Sequence, residues 1–97
     1  MRTVLLSDVS AAARVLLGVP KFQRARLCAR MLREADHADR YLRKQGKLHP
    51  KWGNGTLLAV ARTRPLSSEP SFDDVDYCSC FELVLRGLRY HLRAANL

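Results

Sequence analysis

Residues 21–46 read KFQRARLCARMLREADHADRYLRKQG. At 100° per residue, Leu27, Cys28, Met31, Leu32, Ala35, Ala38 and Leu42 gather on one broad face of a helix. Arg26, Arg30, Arg33, His37, Arg40 and Lys44 recur at spacings of 4, 3, 4, 3 and 4 and fall on the opposite face. One helix therefore carries an oily side and a cationic side. Gly46 supplies its stop. Asp36 stands one turn from both Arg33 and Arg40, which predicts that part of the cationic face is compensated within the helix.

Upstream, Ser7-Asp8-Val9-Ser10 opens a shorter helix over about 8–17, with Ser7 as N-cap and Asp8 at the positive end of the dipole. Val9, Ala12, Ala13, Leu16 and Leu17 follow the spacing of a core face. Gly18 is expected in the left-handed position after that helix, and Pro20 in the first turn of the next. So short a link makes the first two helices packed neighbours.

Downstream, Lys47 to Gly55, KLHPKWGNG, is a loop by its punctuation. Trp52 has two readings there. It closes an open end of the core, or it is a stacking anchor flanked by Lys47, His49 and Lys51. Thr56 to Arg64 reads as a short helix ended by Pro65, and Leu66 to Phe72 as a connector. Ser71 or Asp73 is expected to cap a last helix over about 74–94. Its apolar face is Tyr77, Phe81, Val84, Leu85, Leu88, Leu92 and Ala95, opposite Glu82, Arg86, Arg89 and Arg93. Leu83 and Tyr90 lie off that face, close together around the helix, as a subunit or partner contact.

The expected fold is all-α, a single helical domain over 1–97. Four helices surround one core, and the long pair (about 21–45 and 74–94) runs antiparallel beside two short helices (about 8–17 and 56–64). A chain of 97 residues buries roughly 60–65% of its unfolded surface, so that core is feasible but thin. Symmetric assembly would thicken it, and a homo-oligomer is expected.

The net charge of +8 is unevenly placed. Residues 21–47 hold nine Lys or Arg against Glu34, Asp36 and Asp39, net +6, whereas residues 73–97 are net −1. That is the footprint of a polyanion binder, or of a solvated face. No apolar run approaches the roughly 18 residues of a membrane span, and MRTVLLSDVS lacks a signal-peptide core, so no membrane partner and a cytoplasmic location are expected. Three cysteines, Cys28, Cys78 and Cys80, form no disulfide framework and suit a reducing compartment.

Chemistry finds little purchase. Cys78 and Cys80, two apart on a helix, point about 200° away from each other, and His37, His49 and His91 complete no ligand pattern, so neither metal nor cofactor is expected. No base and orienting group accompany a nucleophile, and an enzyme is not expected. Gly53-Asn54-Gly55 lacks the preceding strand and the Gly-Lys-Ser/Thr ending of a nucleotide loop. A helix-turn-helix fails too. The segment from Gly46 to Thr56 is too long for its turn, and Thr56-Leu57-Leu58-Ala59 presents nothing to base edges.

The run His49-Pro50-Lys51-Trp52-Gly53-Asn54-Gly55-Thr56-Leu57, followed by Asp76-Tyr77 and Cys80, resembles a group of short, uncharacterised alphaproteobacterial proteins. The likeness covers nearly the whole chain. It implies an all-helical bacterial domain of accessory or regulatory type, with no activity to carry over.

Two functions follow as expectations. The first is a small non-enzymatic regulator or adaptor that binds a polyanion, foremost DNA, non-specifically through Arg26, Arg30, Arg33, Arg40, Lys44, Lys47 and Lys51. The second is a protein-interaction module, without direct nucleic-acid binding, that self-associates or docks a protein partner through Trp52, Leu83 and Tyr90, its basic stripe meeting an acidic protein surface or solvent.

Overall fold

The computed structural model describes residues 1–95. The chain is all-helical: α1 Leu6–Leu17, α2 Lys21–Gln45, α3 Leu57–Ala61 and α4 Val75–Ala95. Among the described residues the only β feature is an isolated bridge between His49 and Gly53. At 1.5 Å per residue α2 is roughly 37 Å long, against a longest molecular dimension of 42 Å.

The helix ends depart from expectation in instructive ways. α1 begins two residues earlier than Ser7 implies, because Leu5 takes the extended cap conformation and Asp8 falls at the third helical position. There Oδ2 of Asp8 accepts the Leu5 N–H at 2.8 Å, while Oδ1 accepts the Leu58 N–H at 2.8 Å. One buried carboxylate thus caps α1 and fastens α3 to it. Gly18 is right-handed at φ −82°, since its N–H closes a tight turn onto the Val15 carbonyl and no left-handed step is needed. Pro20 stands just before α2 instead of inside it. Gly46 does end α2 in the left-handed region, φ 70°, its N–H on the Leu42 carbonyl.

α3 is shorter than the expected 56–64. Thr56 caps it by accepting the Ala59 N–H at 3.1 Å, and after Ala61 the backbone tightens into three-residue turns at Thr63 and Arg64. Pro65 forces this, because the residue before a proline avoids helical geometry. Asp74, not Ser71 or Asp73, caps α4 by accepting the Tyr77 N–H at 3.0 Å.

α1 is the hub. Seven of its twelve residues are buried, so it is enclosed nearly all round. Ala11, Ala12 and Ala13 let neighbours approach closely, while Leu16 fills the centre with Met31, Leu32, Leu57, Val60, Tyr77 and Val84. α2 contributes Cys28, Met31, Leu32, Ala35 and Ala38 as its spacing implies, together with two charged residues that spacing does not reveal, Arg24 and Asp39.

The direction of the long pair is a correction. Arg24 meets Asp76, Cys28 meets Gly87 and Asp36 meets His91. The numbers rise together, so α2 and α4 run in the same sense. The antiparallel partner of both is α1: the Arg24 guanidinium reaches Val19 at its C-terminal end, and Met1 reaches Asp36 beyond its N-terminal end. The reason lies in the chain between them. Residues 46–74 pass back along α1, where the Ser67 N–H meets the Arg14 carbonyl and Glu69 meets Ser10, and so return to the starting end before α4 begins. Short loops impose antiparallel neighbours; this long one does not.

The apolar face of α4 is rotated accordingly. Tyr77, Cys80 and Val84 are buried, with Phe81 and Leu88 half-buried, but Leu85 and Leu92 are each 46% exposed. A Cβ on Gly87 would lie 3.1 Å from Cys28 Sγ, so its absence lets α2 and α4 close on each other.

A candidate polyanion-binding face

The carboxylates on and against α2 are paired with other cations. Arg24 is buried, and its two Nη atoms donate to both oxygens of Asp76 at 2.7 and 3.1 Å. Arg64 pairs with Glu34, Arg43 with Asp39 and Arg86 with Glu82. Asp36 does not pair with Arg33 or Arg40 as its spacing suggests. It turns inward, 2.5 Å from both the Met1 amino group and His91 Nε2. The expected compensation of the cationic face is therefore not made by Asp36.

What remains is one-sided. Among the described residues, no carboxylate lies within salt-bridge distance of Arg26, Arg30, Arg33, Arg40, Lys44, Lys47 or Lys51, and all seven are exposed. From Arg26 to Lys44 the row spans roughly 27 Å of helix. Three shallow recesses follow it. Phe22, Gln23, Arg26, Leu27 and Arg30 line the first. Arg30, Arg33, Glu34, His37, Arg40 and Trp52 line the second, and His37, Arg40, Tyr41 and Lys44 belong to the third. Shared Arg30, His37 and Arg40 make them one continuous track. Lys51 reaches back to this track with its Nζ 5.6 Å from the Trp52 ring centre, whereas Lys47 lies beyond the end of α2.

The loop after α2 is built to bring Trp52 here. Gly55, at φ 87°, lies so close to α2 that a Cβ would sit 2.7 Å from Asp39 Cα. His49 Nδ1 accepts the N–H groups of Lys51 and Trp52, both at 3.1 Å, folding the loop into a tight turn. The His49 ring stacks on the indole at 4.7 Å and 12°. His37 meets both rings edge-on, and Tyr41 meets His49 in the same way at 4.9 Å. Trp52 is half-buried and touches the core, so it both closes the interior and lies among arginines.

Leu83 and Tyr90 do not join Trp52 in a single patch. They line an apolar groove of about 470 Å³ between α2 and α4, with Ala25, Ala29, Leu32 and Gly87. Leu83 is half-buried against the core, and Tyr90 is 78% exposed. Arg33 lines both this groove and the Trp52 recess, so the two surfaces flank α2 on either side of it. Phe22 escaped the sequence reading, although it stands four residues before Arg26 and hence in the same row.

Titration follows the same division. Burial pushes the Asp36 carboxyl up, but the Met1 amino group and His91 outweigh it and hold it below the ordinary carboxylate value. Arg43 and the Met1 amino group hold Asp39 low, and Arg24 does the same for Asp76. Burial raises the Cys28 thiol to about 11 and raises Cys80 as well. Cys78 donates its S–H to the Phe72 carbonyl at 3.0 Å. No helix is long and apolar enough to cross a membrane.

Neither a curated protein nor a solved structure matches this chain. A family model described as a domain of unknown function, DUF7742, matches residues 2–88, and the chain belongs to that family.

Proposed function

We propose that this chain is a small non-enzymatic regulator or adaptor that binds a polyanion, DNA foremost, through the exposed side of α2. One observation carries the reading. The acidic side chains near α2 neutralise other cations, while seven lysines and arginines on and beside that helix have no carboxylate partner among the described residues. Cations in a row, whose neighbouring carboxylates are already paired with other groups, leave a positive field that attracts an external polyanion. Spacing of three and four residues over roughly 27 Å suits a run of phosphates and reads no base sequence.

Gel shifts titrated with salt test this. Affinity is expected to fall steeply with salt and to be similar for unrelated sequences. Reversing Arg26, Arg30 and Arg33 to glutamate should lower affinity for every sequence alike and flatten the salt slope by about 3. Unchanged binding of the reversed variant overturns the proposal.

A second reading rests on the groove between α2 and α4. A half-buried Leu83 and an exposed Tyr90 beside Ala25, Ala29 and Gly87 suit a helix from a second copy or from an acidic protein partner. Light scattering on a sizing column tests self-association. A dimer that Tyr90→Glu converts to monomer favours this reading; a monomer at all concentrations removes the homo-oligomer.

A further inference from the structure

We propose that the α2 face takes single-stranded nucleic acid in preference to duplex, with bases stacking on aromatic rings that stand in and beside the arginine row. This rests on the polyanion reading and names the strand state it selects. Two placements carry it. Phe22 is 84% exposed, more than any other large apolar side chain described. It stands one turn before Arg26 in the same row and lines a recess with Arg26 and Arg30. Some 22 Å along the helix, Trp52 lines a second recess of about 350 Å³ with Arg30, Arg33, Glu34, His37 and Arg40. His49 stacks on its indole and Lys51 Nζ lies 5.6 Å from the ring centre, so an incoming base meets the indole–imidazole stack at its open side.

Aromatic rings are thus interleaved with unpaired guanidinium groups along a track the length of a few nucleotides. Duplex DNA offers a non-specific binder only its phosphates, because the bases are stacked inside. An electrostatic duplex face has no use for a phenyl ring in water or an indole between arginines. A single strand offers phosphates and free base faces together, and each stacked base adds a salt-insensitive contribution. Arginine planes add their own stacking on bases. Trp52 is the only tryptophan in the chain, so its fluorescence reports the second recess alone.

The experiment compares an oligothymidylate of about twelve nucleotides with a duplex of equal length, on the intact protein. Readouts are affinity over a salt series and Trp52 fluorescence. The single strand is expected to bind at least about tenfold more tightly and to quench Trp52. Phe22→Ala, at a side chain 84% exposed and so with little bearing on folding, should weaken single-strand binding about tenfold and duplex binding far less. Equal affinity for both strands with unchanged fluorescence overturns the strand preference but leaves the salt-dependent polyanion reading standing. Binding of neither overturns both. Phe22→Ala weakening single strand and duplex equally also overturns the stacking assignment.

Discussion

Asp8 shows how much one side chain decides in this fold. Its two oxygens satisfy the Leu5 and Leu58 N–H groups, at the starts of α1 and α3, in a site only 3% exposed. Alanine there leaves two donors without partners. Asp8→Ala is expected to destabilise the chain by about 2–4 kcal/mol, measured by urea unfolding. A loss under about 0.5 kcal/mol would mean that water replaces both bonds. In sequence Asp8 is visible only as a helix-start acid, because its link to Leu58 depends on where α3 folds.

At the scale of elements, the α2–α4 crossing turns on Gly87. A side chain there would press on Cys28 Sγ and, beyond it, on Leu32. Gly87→Val is expected to cost about 1–3 kcal/mol, and Cys28→Ala, by opening space at that point, should recover part of the loss in the double variant. Additive effects in a double-mutant cycle would show that the two positions do not meet. The cationic face of α2 was legible from its period alone. That its arginines lack counter-charges was not, since Asp36 has the spacing to pair with Arg33 or Arg40 and instead turns to His91 and the Met1 amino group. Helix spacing gives which residues share a face, not which of two available partners a carboxylate selects.

At the scale of the molecule, the acidic residues form a set of clamps between elements. Asp36 joins α2 to α4 and to Met1, Asp76 joins α4 to α2, and Asp39 holds Met1 and Arg43. All three carboxyls are held below their ordinary value when folded. A depressed carboxylate contributes stability that is present above its unfolded value and lost as the pH falls through the folded one. Thermal stability should therefore change little with pH above about 4 and drop as acid is added below that. Asp36→Asn should shrink the drop. An unchanged acid limb in that variant would mean that Asp36 is not one of the clamps.

By itself the sequence determined that the chain is all-helical, where three of its four helices lie to within a turn at each end, which side of α2 is oily and which cationic, and that Gly46 ends that helix. All of these are local: period, caps and charge order act within a few residues. Tertiary structure alone decided that α1 is the hub, that α2 and α4 run in the same sense, that Leu85 and Leu92 face out, and that Trp52 lies among the arginines. Those features depend on the path of residues 46–74 and on contacts between residues tens of positions apart, and no periodicity encodes the path of a long connection.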